Sequence, residues 1–221
     1  MQSTVERVRF NMIEQQVRPW DVLDPRVLGV MGELPRESFV PDAYRGLAYA
    51  DTEIPLGAGS VMLPPKVVGR MLQALAVGNG DKVLEIGTGT GYLTACLAAL
   101  GARVHSVEID PDLADAARQR ITALGLGRVR IETGDGLAAS FEDAPFDAIA
   151  VTGSMPTEEP LAMLREQLAD GGRLFAVIGE PPLMEAILET RVPGGDVRRE
   201  TLFETSIPPL SNVPEPERFA F

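Results

Sequence analysis

The densest chemistry in the chain lies in the run Glu85-Ile86-Gly87-Thr88-Gly89-Thr90-Gly91-Tyr92. Glycines at alternate positions let a backbone turn sharply, take positive φ and approach a ligand closely. Val83-Leu84 before them reads as a strand. Tyr92-Leu93-Thr94-Ala95-Cys96 after them reads as a helix, whose first N–H groups are free to face the turn. A second acid, Glu108, ends the apolar run Val104-His105-Ser106-Val107. A third, Asp135, lies in Gly134-Asp135-Gly136. If each acid or glycine turn follows a parallel strand, all three meet at the carboxyl edge of the sheet, where open α/β sheets bind ligands. A carboxylate at the end of the second strand can accept hydrogen bonds from both hydroxyls of a ribose. An aspartate after the third can accept from an adenine amino group.

The spacing narrows the ligand. A dinucleotide fingerprint, G-x-G-x-x-G, requires its third glycine at position 92, which is Tyr92. Here the third glycine is Gly91, and an acid, Glu85, stands two residues before Gly87. This is the pattern of S-adenosylmethionine-dependent methyltransferases, and it weighs against a nicotinamide cofactor. Such a loop has no pyrophosphate to neutralise, so Glu85 is free to face the ammonium end of the methionine moiety. The expected cofactor contacts are Glu85, Gly87, Thr88, Gly89, Gly91, Glu108, Asp135 and Gly136. The product would be S-adenosylhomocysteine.

The rest of the inventory fits a displacement that needs neither base nor metal. The chain has one histidine, His105, and one cysteine, Cys96. That excludes a disulfide framework and multi-cysteine or multi-histidine metal sites. Were the acceptor a carboxylate, it would already be ionised near neutral pH. Alignment and exclusion of water are then the main requirements. With 20 basic and 32 acidic residues the net charge is −12, which disfavours a general nucleic-acid binder. No long apolar run suggests a membrane span or a signal peptide, so a cytoplasmic location is expected.

Stepping from those residues to their supports, the second part of the chain alternates short apolar runs with helical stretches, as a parallel α/β sheet does. The expected strands are 82–86, 103–108, 129–133, 146–151 and 174–178. Helices are expected at 92–100, 111–124 and 160–168, the last ended by Gly171-Gly172. A pair of strands joined by a turn is expected over 186–205. The fold class is therefore α/β: a Rossmann-like, mostly parallel, doubly wound sheet over about 81–221. Residues 1–80 form a helical and loop extension in the same unit. Asp24-Pro25 and Pro64-Pro65 mark helix starts there, and 48–63 reads as a loop or hairpin.

Several segments outside the glycine loop resemble the protein-L-isoaspartate O-methyltransferase family. They are Arg36-Glu37-Ser38-Phe39-Val40-Pro41, Ala48-Tyr49-Ala50-Asp51 and Ile54-Pro55-Leu56-Gly57-Ala58-Gly59. Gly134-Asp135-Gly136, Phe146-Asp147 and Val151-Thr152 extend the likeness over nearly the whole chain. The resemblance implies methylation of the free carboxylate of isoaspartyl residues in damaged protein. The ester then collapses to a succinimide and reopens toward normal aspartate. It implies a protein or peptide partner. One departure stands out. Where the family usually has Thr and a catalytic Ser, this chain has Val61 and Leu63. No catalytic side chain is therefore assigned. Ser60, Thr152 and Ser154 are the candidate substrate donors. A methyltransferase of the same descent acting on another carboxylate, peptide or small molecule stays open, as does a cofactor-binding protein without repair activity.

The remaining residues read as structural. His105 belongs to a strand, Cys96 to the core and Asp110 to a helix cap. Trp20 packs the N-terminal helices. Arg18 and Arg36 read as surface ion-pairing residues, with steering of a carboxylate as the alternative. Phe219 and Phe221 are expected to pack the tail.

Overall fold

The structure is a computed structural model that describes residues 4–138 and 140–214. Its helices are α1 (Thr4–Met12), α2 (Pro25–Glu33), α3 (Pro65–Leu75), α4 (Tyr92–Ala99), α5 (Pro111–Ala123) and α6 (Glu159–Glu166). Its strands are β1 (Ile54–Gly57), β2 (Ser60–Met62), β3 (Lys82–Ile86), β4 (Arg103–Glu108), β5 (Val129–Thr133), β6 (Phe146–Met155), β7 (Leu168–Glu180), β8 (Leu183–Arg191) and β9 (Val197–Thr205). β1 and β2 form a small hairpin. The other seven make one sheet in the order β5-β4-β3-β6-β7-β8-β9. β5 to β7 run parallel to one another, and β8 and β9 return antiparallel. The chain moves outward from β3 in one direction through β4 and β5, then crosses back to β6. The carboxyl end of β3 is thus a topological switch point, where a crevice opens.

Burial explains the strands. Val83, Leu84 and Ile86 of β3 and Ala148 to Val151 of β6 are almost wholly enclosed, as expected for central strands covered on both faces. One face packs under α3 and the N-terminal segments: a single buried cluster takes Met12, Val17, Met31, Phe39 and Leu72 together with Val83, Ala148 and Phe175. The other face carries Leu84, Ile149 and Leu174 against Leu161 and Leu164 of α6. α3 presents Val67, Val68, Met71, Leu72 and Leu75 inward, as its spacing predicts. Asp24 and Asp110 cap α2 and α5 by accepting from Arg26 N at 2.8 Å and from Asp112 N at 2.8 Å.

Three strands coincide with their expected bounds, and two run longer. β6 continues past Val151 to Met155, and β7 begins at Leu168. Gly171-Gly172 does not end a helix: α6 stops at Glu166, and Leu168 already pairs with Phe146. The glycines sit at a register shift inside β7, where a Cβ on Gly172 would lie 2.9 Å from the Phe146 carbonyl oxygen. Gly171 takes φ 78° and a Cβ on Gly172 would also stand 2.8 Å from the Ala169 carbonyl oxygen, so an irregularity inside β7, not capping, requires glycine there. Arg36 is also not on the surface; it is fully buried and enters no ion pair among the described residues. Trp20 packs edge-to-face on Phe203 at 5.6 Å, with the Lys66 ammonium 4.3 Å from its ring centroid. Arg18 does pair with Glu14, at 3.0 Å. Phe219 and Phe221 lie outside the described residues. No helix among these is long and apolar enough to cross a membrane.

Gly87, just after β3, packs closely against Thr152 of β6. It has φ 90°, and a Cβ there would stand 2.2 Å from Thr152 Oγ1. Gly87→Ala should cost about 1–3 kcal/mol from the backbone conformation alone, with the displaced threonine adding to it. Chemical denaturation, compared with Gly89→Ala, where the nearest atom to a Cβ is 3.5 Å away, measures the difference.

Candidate functional site

A cleft opens at the carboxyl ends of β3, β4 and β6. One end is polar, with Glu85, Thr88, Glu108 and Asp135. The other is an apolar wall that includes Leu56, Val61, Met62, Leu63 and Val68, with Ser60 beside them. The β1–β2 hairpin supplies much of that wall, and the glycine loop lies between the two ends.

Glu85 is wholly buried. Its Oε2 accepts from Thr94 Oγ1 at 2.5 Å and from Ser106 Oγ at 2.7 Å. Its Oε1 has no partner. α4 and β4 thus fix the carboxyl from behind and leave one oxygen over. Burial raises its pKa from 4.5 to about 7, against the pull of the two hydroxyls, and the nearby Glu108 charge adds to the rise. Ser106 is itself anchored by Thr88, with Oγ1 and Oγ 2.5 Å apart.

Glu108 closes the loop. Its Oε2 accepts from Gly89 N at 2.7 Å and its Oε1 from Asp110 N at 3.0 Å. It therefore holds the glycine loop to the start of α5 while remaining at the cleft. Asp135 accepts from Leu137 N at 2.9 Å and from Asn212 Nδ2 at 3.0 Å. The expected residues Glu85, Gly87, Thr88, Gly89, Glu108, Asp135 and Gly136 all line one cleft. Gly91 does not line it. It turns the chain into α4 with φ 84° and lets Ala117 approach.

The candidate donors separate. Ser60 is exposed at the rim of the wall. Thr152 lines the cleft, but its hydroxyl donates to the carbonyls of Ile86 at 3.0 Å and Gly87 at 2.7 Å. Ser154 is buried away from the cleft and donates to the Ile207 carbonyl at 3.0 Å. Thr152 and Ser154 are thus bound to backbone, and Ser60 alone of the three is free to meet a ligand.

A further wall was not anticipated from the sequence. Pro208 to Ser211 line the cleft after crossing β6, where Leu210 N donates to Ser154 O at 3.0 Å and Ser154 N to Pro208 O at 2.9 Å. The local signal, two prolines after a strand, marks an extended segment without saying where it lands. Ile109, Leu113 and Leu137 complete the apolar lining near Glu108 and Asp135.

A family model of protein-L-isoaspartate(D-aspartate) O-methyltransferase matches residues 8–202. The chain belongs to this family. It is therefore an S-adenosylmethionine-dependent O-methyltransferase by descent. It is 44% identical over 191 residues to protein-L-isoaspartate O-methyltransferase 2 of Anaeromyxobacter sp. (strain Fw109-5), covering 85% of this chain and 78% of that one. It is 40% identical over 202 residues to the Koribacter versatilis enzyme, covering 91% and 90%. A Plasmodium falciparum structure described as a protein-L-isoaspartate O-methyltransferase, in complex with S-adenosyl-L-homocysteine, superposes with a TM-score of 0.79. At 21% identity, that match covers 95% of this chain and 99% of the other, and it supports the fold.

The residues present fit the cofactor. The leftover Oε1 of Glu85 is a buried acceptor without a donor, which is costly unless a cation or N–H completes it. An ammonium group does so. Glu85→Gln should weaken cofactor binding by about 10- to 100-fold, the range for losing a hydrogen bond to a charged group. Calorimetry with S-adenosylhomocysteine measures this. The sign of the pH effect also follows. The free folded protein keeps a proton on Glu85 that the unfolded chain releases, so this group's contribution to stability falls as pH rises from about 4.5 to about 7. The melting temperature of Glu85→Gln relative to the native protein should rise across that window and level off above it.

Proposed function

We propose that this protein methylates the free carboxylate of isoaspartyl residues in proteins and peptides, the repair reaction of its family. The unpartnered, buried oxygen of Glu85, a residue of the same cleft as the apolar wall, carries the reading. Glu85 would receive the ammonium end of the cofactor, Glu108 the ribose and Asp135 the adenine. The backbone from Gly87 to Gly89 would lie along the methionine part. When bound, S-adenosylmethionine supplies a methyl group already activated on a sulfonium.

The protein's work is placement. The acceptor oxygen is ionised before it arrives, so no side chain has to remove a proton. The inventory agrees: Cys96 is enclosed with its thiol pushed up to about 12 by burial, and His105 lies in β4 between Glu132 and Asp143. Neither lines the cleft. Val61, Met62 and Leu63 exclude water around the acceptor, and Ser60 offers one hydroxyl at the rim. Residues 1–80 form the acceptor side of this unit, and 81–221 the cofactor side.

The discriminating measurement is transfer of labelled methyl to an isoaspartyl peptide, with its aspartyl twin as control. Base-labile label should accumulate on the isoaspartyl peptide only. Ser60→Ala should raise KM by about tenfold or less, the loss of one hydrogen bond. Equal labelling of both peptides, or none of either despite tight cofactor binding, would assign the chain to another acceptor.

A further inference from the structure

Arg36 is 0% exposed, the largest side chain so enclosed. Its Nε donates to the Ala48 carbonyl at 2.8 Å and its Nη2 to the Leu63 carbonyl at 2.7 Å. Its guanidinium carbon stands 4.7 Å from the Tyr92 ring centroid. Nη1 has no hydrogen-bond partner. No carboxylate pairs with it among the described residues, although the chain has 32 acidic side chains available.

A buried cation is ordinarily neutralised by an anion, because carbonyl dipoles and an aromatic face replace only part of its hydration. Its location suggests where the anion comes from. Leu63 and Tyr92, the two groups it grips beside Ala48, both line the cleft, and Leu63 belongs to the acceptor wall. Glu85 lies toward the other end. Cys96 is enclosed where it feels both charges, its thiol drawn down by Arg36 and pushed up by Glu85. Arg36 thus stands directly behind the acceptor wall, tied to it through the Leu63 carbonyl.

We propose that Arg36 is the counter-charge for the methyl acceptor: it favours an anionic carboxylate in the cleft through its field and sets the wall by holding the Leu63 carbonyl. It is a positioning residue, acting from behind Leu63 and Tyr92, and the inference rests on the carboxyl-methylating function proposed above. The acceptor enters as an anion and leaves as a neutral ester, with one C–O bond made, one S–C bond broken and no proton moved. The anion's charge shrinks on the way to the transition state. Arg36 therefore stabilises bound substrate more than the transition state, and it loosens its hold once the ester has formed.

The test uses Arg36→Met, a neutral side chain suited to a buried site, and Arg36→Gln, which keeps donors for the carbonyls without the charge. Binding of an isoaspartyl peptide and of its carboxamide analogue is measured in the presence of S-adenosylhomocysteine, alongside steady-state kinetics. Affinity for the carboxylate peptide should fall about tenfold in both variants, equivalent to about 1.4 kcal/mol. Carboxamide binding should stay level, and KM should rise about tenfold with kcat within about twofold. Arg36→Lys should restore the preference for the carboxylate. Equal loss of both ligands, or an undiminished carboxylate preference in either folded neutral variant, overturns the proposal. If Arg36→Met does not fold, Arg36→Gln decides. If neither neutral variant folds, the Arg36→Lys measurement decides: loss of the carboxylate preference there overturns it. An active native enzyme whose preference survives these changes refutes the Arg36 role alone. A native enzyme that neither binds nor methylates the isoaspartyl peptide refutes the proposed substrate, and the Arg36 role with it.

Discussion

The arrangement depends on a carboxyl group held out of water with half its hydrogen-bonding capacity in use. Thr94 and Ser106 bind one oxygen of Glu85 and leave the other without a donor. In a protein interior such a group is unfavourable on its own. The surroundings must be rigid to keep it, and they are. Ser106 is tied to Thr88 in the glycine loop, and that loop is tied to Glu108 through Gly89. Tension between burial and an unfilled acceptor makes the site receptive to a cation. The same network holds the glycine loop in one conformation, which lowers the ordering cost of any ligand that accepts it.

Glu85 in the cleft and Arg36 behind its apolar wall are both buried without a charged partner of their own among the described residues. This is a common logic at functional sites, where groups shifted or left unsatisfied by the fold mark the place of chemistry. Elsewhere the protein neutralises its buried charge internally. Glu189, 1% exposed, is gripped by Arg165 at 2.7 and 2.6 Å and by Arg199 at 3.0 Å. Arg199 also brings Glu158 into the cluster, donating to both of its carboxylate oxygens. The contrast between this closed network and the open charges at Glu85 and Arg36 separates support from function within one fold.

The cofactor half was legible because its signals are local. The strand, glycine turn and helix are adjacent in the chain, and acids at strand ends convert directly into a shared edge. β3, β4 and β5 lie where apolar runs place them. What escaped reading depended on distant contacts. Gly171-Gly172 resembled a helix stop, yet they serve a register shift inside β7, with Gly172 packed against Ala169 and against Phe146 of the neighbouring strand. Arg36 resembled a surface charge because nothing near it in the chain announces burial beneath Leu63 and Tyr92. Thr152 and Ser154 offered hydroxyls whose carbonyl partners, at Gly87 and Ile207, are known only once the chain is folded.

The segment from Pro208 to Ser211 has a consequence for the timing of activity. The seven-stranded sheet is complete at Thr205, but the wall beside Gly87 and Gly153 is built from residues made after it. During synthesis the protein acquires its architecture before it acquires a closed site. The site closes only after these residues are made, and removal of the segment from Pro208 to Ser211 would open it while sparing the sheet.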